Sequence, residues 1–170
     1  SERSTFYKRM FKEYGIDVSQ INTIEELQKL PTTSKQDLQY FNDDFLCADL
    51  VDVIDYVTTS GTLGNPVTFA LTENDLQRLA YNEASSFSIA GFKKEDVMQL
   101  MTTIDRRFMA GLAYFMGARE LGCGVVRVGN GIPELQWDTI NRVKSTGCMV
   151  VPSFLMKMIE FAENNNIDCN

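Results

Sequence analysis

The spacing of apolar positions changes near residue 50. Before it, Phe6, Met10, Phe11 and Tyr14 recur at close to the helical period, which predicts a first amphipathic helix stopped at Gly15. Thr23 followed by Glu26 has capping-box spacing and predicts a short second helix through Leu27, ended by Pro31. Ser34 and Asp37 repeat that logic and open a third turn through Leu38 and Phe41. Residues 51–59 are rich in β-branched and aromatic side chains and predict a strand. Residues 67–71 predict a second strand beyond a glycine-bearing turn. Thr72 and the acidic residues after it then open a helix that carries Leu76, Leu79, Ala80, Ala84 and Phe87 to about Gly91.

From there strands and helices alternate. Strands are predicted at 97–101, 125–128 and 148–151, and helices at 108–121, 135–145 and 154–163. Strands separated by helices call for crossover connections and a mainly parallel sheet covered by helices. The fold class is therefore α/β: an N-terminal helical region over residues 1–50, then a β-loop-β unit and a βαβαβα sheet over residues 51–170. No internal repeat, low-complexity stretch or linker interrupts it.

Composition narrows the chemistry. With 170 residues, 44% hydrophobic and 23% charged, the chain is in the globular range and long enough to bury a core without metal or disulfide staples. A net charge of −7 supplies no basic field, so neither nucleic acid nor an anionic membrane is expected as a main partner. Histidine is absent, which excludes Ser-His-Asp and Cys-His catalysis and His-bearing zinc sites within these residues. The four cysteines, Cys47, Cys123, Cys148 and Cys169, are scattered and form no CxxC pair. They are read as buried thiols without an activating basic neighbour, in a reduced, cytoplasmic setting. No apolar run reaches the roughly 18 to 20 residues of a membrane span. The chain begins without Met and stops just after a predicted helix, and the expectation is a piece of a longer polypeptide.

The stretch that carries chemistry is Thr58-Thr59-Ser60-Gly61-Thr62-Leu63-Gly64-Asn65-Pro66. Two glycines let the backbone turn sharply and present successive N–H groups, and the hydroxyls of Thr59, Ser60 and Thr62 add donors, an arrangement suited to phosphate oxygens. It is neither a Walker A loop, which ends in GK[ST] before a helix, nor a Rossmann GxGxxG turn. By composition alone it also serves as an ordinary strand connection. A second constellation, Thr102-Thr103-Ile104-Asp105-Arg106-Arg107-Phe108-Met109, follows the third predicted strand, where α/β sheets collect ligands. There an Arg is able to receive a carboxylate or phosphate in bidentate fashion, and equally Asp105 is able to pair with an Arg on a solvated helix start. The methionines read as core filling, Trp137 as a packing anchor, and Ser153 as either a helix cap or a neighbour of a pocket. The glycine-rich turn 129–133 is assigned no chemistry.

In order and context, Thr-Ser-Gly-Thr-x-Gly-x-Pro resembles the phosphate-binding signature of the adenylate-forming superfamily. Phe6-Tyr7-Lys8-Arg9, Tyr14-Gly15-Ile16-Asp17, Leu27-Gln28-Lys29-Leu30-Pro31, Gly117-Ala118-Arg119-Glu120-Leu121-Gly122 and Val151-Pro152-Ser153-Phe154 resemble its phenylacetate-CoA ligase branch. The resemblance extends over nearly all of the chain. It implies part of the large N-terminal domain of such an enzyme, an AMP-binding α/β domain without the mobile C-terminal domain. It implies a two-step reaction: a carboxylate attacks the α-phosphorus of ATP to give acyl-adenylate and pyrophosphate, and the coenzyme A thiol then displaces AMP. ATP, Mg²⁺ and coenzyme A are the implied cofactors. The implied partners are a small-molecule carboxylic acid, the remainder of the same chain and, in some assemblies, a second copy.

Carried over residue by residue, the resemblance assigns ATP phosphates to Thr59, Ser60, Gly61, Thr62, Leu63, Gly64 and Asn65. It assigns the acyl pocket to Arg106, Arg107, Phe108 and Met109, and it places no catalytic nucleophile and no metal ligand within these residues. Leu63 stands where the family usually has Thr, and Asn65 and Val67 flank Pro66 where many members carry Lys. Mg²⁺ and residues outside this chain are therefore expected to neutralise much of the phosphate charge. Asp105-Arg106-Arg107 replaces the small and aromatic residues of phenylacetate-activating relatives. These residues alone are expected to be inactive, since the adenine, ribose and hinge motifs have no match. Two other readings stand beside this one: a nucleotide-binding module without ligase activity, and an interaction domain with a degenerate phosphate loop. In the full-length protein, Ser60→Ala combined with Thr62→Ala is expected to weaken ATP binding and slow adenylation by about tenfold or more. Unchanged ATP affinity and rate in equilibrium binding and pyrophosphate-exchange assays would refute the phosphate assignment.

Overall fold

Ser4 is almost fully buried and works at both ends: its oxygen accepts from Tyr7 N at 3.2 Å, and its hydroxyl donates to the Asp44 carbonyl at 2.9 Å. It thereby caps the first helix, α1 (Thr5–Glu13), and ties it to the turn Asn42–Phe45. In this computed structural model, which describes residues 2–59 and 65–167, the chain divides into two units, Ser1–Glu73 and Asn74–Asn170.

In the first unit, Phe6 and Met10 are the buried face of α1, and Phe6 stacks on Phe45 with centroids 4.2 Å apart. Tyr14, predicted to share that face, is exposed, because α1 ends at Glu13 and the chain leaves the helix before Tyr14 turns inward. Arg9 lies 4.6 Å from the Phe41 centroid and pairs with Asp44 at 2.9 Å, so its charge covers the aromatic cluster. The predicted second helix is a 3₁₀ turn, Glu25–Lys29, with the expected reciprocal bonds between Thr23 and Glu26. Hydrogen bonds, first from the Asn22 N–H and then from Lys29, hold the Glu26 carboxyl below its usual range. Helix α2 (Lys35–Tyr40) carries a complete capping box between Ser34 and Asp37.

Strands β1 (Val53–Thr58) and β2 (Thr68–Thr72) pair antiparallel, with Val57 opposite Phe69 and Thr58 opposite Thr68. The predicted strand begins two residues late, since Leu50–Asp52 forms a 3₁₀ turn closed by Asp52 N to the Asp49 carbonyl at 2.9 Å, leaving Val51 exposed. Asn42 extends the ladder with its side chain: Nδ2 donates to the Thr68 carbonyl and Oδ1 accepts from Thr68 N, both at 2.9 Å. Its amide thus imitates one more strand residue.

The second unit is a three-stranded parallel sheet, β3 (Val97–Leu100), β4 (Gly124–Arg127) and β5 (Gly147–Met149), in the order β4-β3-β5. Its helices are α3 (Glu73–Ile89), α4 (Met109–Leu121), α5 (Pro133–Val143) and α6 (Pro152–Asn164). The predicted alternation and the mainly parallel sheet are present. Met98, Gln99 and Leu100 of the central strand have no exposed surface, and Phe87, Ala118 and Cys123 pack around Met98 and Leu100. Met98, Met101 and Met158 are core, as expected of methionines, while Met109 and Met156 are exposed. Trp137 is the expected anchor, its indole N–H reaching the Met158 carbonyl at 3.0 Å and joining α5 to α6.

The cysteines divide. Cys123 is a buried thiol that donates to the Lys93 carbonyl, with burial first and then Asp96 raising its pKa, so it is not activated. Cys47 and Cys148, expected to be buried, are exposed, one in a loop and the other on edge strand β5. Among the described residues, no helix is long and apolar enough to cross a membrane.

Candidate functional site

The three parallel strands deliver their carboxyl ends to one place, and a cleft of about 640 Å³ opens there. Met101, Thr102 and Thr103 enter it from the end of β3, Asn130 and Gly131 from beyond β4, and Val150 to Phe154 from beyond β5. Phe108 and Tyr114 reach it from the start of α4. Two of these entries are tied directly, since Met101 N donates to the Met149 carbonyl at 2.9 Å. Among the described residues its lining carries no charged side chain, so the cleft suits an uncharged, largely apolar group.

Helix α4 approaches the β3 exit closely because Gly111 has no side chain. A Cβ there would lie 1.9 Å from the Thr103 carbonyl oxygen, inside any allowed contact. Between them the chain makes an unusual turn: Arg106 and Arg107 are consecutive non-glycine residues at φ 59° and 60°. Each costs about 1 kcal/mol or more relative to right-handed backbone. The turn is held by a hydrogen bond between the Thr103 hydroxyl and the Asp105 carboxylate, and by Phe108 N to the Asp105 carbonyl at 3.2 Å.

Of the residues carried into the acyl pocket, the structure puts Phe108 on the cleft wall. Arg106, Arg107 and Met109 are exposed and do not line it. Arg106 faces Asp105 at 4.0 Å with both side chains more than three-quarters exposed, the solvated pairing weighed from the sequence. Ser153 lines the cleft and is not the cap of α6, whose N-cap position is Val151 with Pro152 following. Asn130 and Gly131, assigned no chemistry from the sequence, line it as well.

Thr102 belongs to the run that follows the third strand in the sequence. It is 8% exposed, it lines the cleft, and its hydroxyl is buried with no hydrogen-bond partner among the described residues. An unpaired buried hydroxyl costs about 1–3 kcal/mol. A missed feature is a buried amide network. Gln99 Nε2 donates to the Gln136 carbonyl at 3.1 Å and to Gln136 Oε1 at 2.8 Å. Gln136 Nε2 in turn donates to the Gly129 carbonyl at 2.9 Å, and the Ser145 hydroxyl donates to Gln99 Oε1 at 2.8 Å. A glutamine at mid-strand was the available signal, because a strand enclosed on both faces has to satisfy it internally.

Of the phosphate-loop candidates, Ser60, Gly61, Thr62, Leu63 and Gly64 lie outside the described residues. Their flanks, in the first unit, are held. Thr59 N donates to the Val67 carbonyl at 3.0 Å, and Thr59 Oγ1 accepts from Val67 N at 3.0 Å. Among the described residues the Thr59 hydroxyl accepts this bond and donates none. The Asn65 carbonyl accepts from Gln39 Nε2 at 2.7 Å.

Thr102→Val, which exchanges the unpaired hydroxyl for a methyl of the same shape, is expected to stabilise the protein by about 1 kcal/mol. A higher midpoint in urea at unchanged slope is the expected reading; a lower midpoint would show that the hydroxyl is satisfied in solution.

No family model matches the chain. Over 163 residues, 95% of the chain, it is 29% identical to the phenylacetate-coenzyme A ligase of Pseudomonas putida and, over the same length, to that of Escherichia coli K12. It spans 37% of the length of each of these relatives. Among solved structures, 2-hydroxyisobutyryl-CoA ligase in complex with 2-HIB-AMP and CoA in the thioesterification state superposes on 97% of the chain with a TM-score of 0.85, at 22% identity. The match takes in 36% of that structure; the open conformation of the same ligase gives 0.84 at 21% identity, over 97% of this chain and 40% of its own. ATP-bound MatB from Rhodopseudomonas palustris matches 69% of this chain and 22% of its own, with a TM-score of 0.51 at 19% identity. The chain is thus a homologue of the phenylacetate-coenzyme A ligases over nearly its whole length, and its fold is that of the adenylate-forming acyl-CoA ligases.

Proposed function

We propose that these residues are the N-terminal portion of an ATP-dependent acyl-CoA ligase that activates an aryl-acetate-like carboxylic acid as its acyl-adenylate and passes it to coenzyme A. The observation that carries the reading is the cleft at the carboxyl ends of the sheet, uncharged among the described residues and walled by Met101, Phe108, Tyr114, Met149 and Phe154. Aromatic and thioether surfaces of this kind receive a flat apolar body. Phe108 forms the ring-contacting wall, and Thr102 offers its unpaired hydroxyl to a polar atom of the bound acid. Arg106, Arg107 and Met109, at the exposed turn and helix start, belong to the mouth of this site.

The segment from Thr59 to Asn65 is assigned to the ATP phosphates. Support comes from its motif and from the Thr59 hydroxyl, which donates to none of the described residues, beside a strand end fixed by Val67 and Gln39. When bound, ATP supplies the activated phosphorus and the pyrophosphate leaving group, coenzyme A supplies the thiol, and Mg²⁺ neutralises phosphate charge. The residues described here bind and orient, exclude water from the acyl group and contribute no nucleophile. Such a division suits a reaction whose catalysis is positioning and charge stabilisation. The protein works in the cytoplasm on small molecules.

The full-length protein, assayed for acid-dependent exchange of labelled pyrophosphate into ATP against a panel of aryl-acetic, benzoic and aliphatic acids, is expected to respond best to an aryl-acetate. Exchange with aliphatic acids alone would overturn the aryl specificity. No exchange with any acid would overturn the ligase reading and favour a non-catalytic nucleotide-binding or interaction domain.

A further inference from the structure

Gln136 is 1% exposed and Gln99 has no exposed surface, yet every hydrogen-bonding group on the two side chains that the enclosure would strand is turned to a partner. The orientations are mutually fixed. Turning the Gln136 amide over would set its oxygen against the Gly129 carbonyl and its N–H against Gln99 Nε2, so a single arrangement satisfies the set. One end of this network does not stay in the core. It grips the carbonyl of Gly129, whose own N–H donates to the Leu100 carbonyl at 3.1 Å. Gly129 is therefore held from both sides, by helix α5 and by strand β3, immediately before Asn130 and Gly131 on the cleft wall. Leu100 is in turn followed directly by Met101 and Thr102 on the opposite approach to the same cleft.

We propose that Gln136 is a positioning residue for the acyl site: by clamping the Gly129 carbonyl it sets the Asn130–Gly131 wall at the distance from the β3 exit that the acid requires. The proposal rests on the acyl-CoA ligase reading above. Gln136 does not touch the acid; it acts through Gly129. Its loss consequently weakens recognition of the acid while leaving the nucleotide's own contacts alone.

The test uses the full-length protein in pyrophosphate exchange, with the acid and ATP varied separately. Gln136→Leu puts an apolar side chain of similar size in its place and removes the donor to Gly129. The KM for the acid is expected to rise about tenfold with the KM for ATP within about twofold. Amides 129–132 are expected to exchange hydrogen about tenfold faster while β3 stays protected. Gln99→Leu/Gln136→Leu removes both amides together, strands neither, and is expected to give the same split; it serves if the single variant does not fold. Ser145→Ala cuts the far end of the network without touching Gly129 and is expected to leave both KM values within about twofold. The proposal is overturned if the acid KM does not move, if both KM values rise together, if Ser145→Ala reproduces the shift, or if neither glutamine variant folds. A wild-type protein that shows no pyrophosphate exchange in the presence of any of the acids overturns the ligase reading itself, a result visible before any variant is made.

Discussion

A strand buried on both faces leaves no room for an unpaired amide, and the second unit of this protein is organised around that constraint. Gln99 sits in the middle of β3 between Met98 and Leu100, all three without exposed surface. Its side chain has to find donors and acceptors inside the protein. It finds them on α5 through Gln136 and beside β5 through Ser145, while Gln136 goes on to Gly129 beyond β4. One polar side chain thus ties the central strand to the helix that follows β4 and to the approaches of both neighbouring strands. An apolar residue in its place packs as well but specifies none of these relations. At the amino edge a second clamp does the same work: Thr146 Oγ1 accepts from Val97 N at 3.0 Å and donates to Asp96 at 2.8 Å.

What this rigidity supports is a cleft built from three strand exits and from Phe108 and Tyr114 at the start of α4. Met101, Asn130 and Val150 stand one to three residues beyond the ends of β3, β4 and β5, so the wall positions follow from the register of the sheet. Helix α4 completes the wall only because Gly111 lets it rest on the Thr103 backbone. The two left-handed arginines at 106 and 107 are where the chain turns between strand exit and helix, and the strain of that turn is stored there.

Much of this was legible in the residues. Periodicity located the helices and strands described in the second unit to within a few positions, because β3 is enclosed, β4 is β-branched at its centre and the helices carry apolar residues at helical spacing. The first unit was harder. Residues 25–29 and 50–52 have helix- or strand-like composition but are short, and local hydrogen bonds between Thr23 and Glu26, and from Asp52 N to the Asp49 carbonyl, settle for 3₁₀ turns. Phe108 was legible as a pocket candidate only through the resemblance, which gave it a ring-contacting position, and it lines the cleft. Asn130, Gly131 and the orphan hydroxyl of Thr102 were not, because small polar residues in a loop look alike until the strands bring them together. The Gln99–Gln136 pair was illegible for a related reason: 37 residues separate partners whose meeting depends on the crossover.

In the function proposed above, the cleft at the carboxyl ends of β3, β4 and β5 holds the acyl group of an activated acid. The most direct measurement is a crystal structure of the full-length protein with a non-hydrolysable acyl-adenylate analogue bearing an aryl-acetyl group. The aryl ring is expected to lie against Phe108 and Met101, with Asn130 and Gly131 on its edge. A ring bound outside this cleft, with Phe108 still facing solvent, would contradict it.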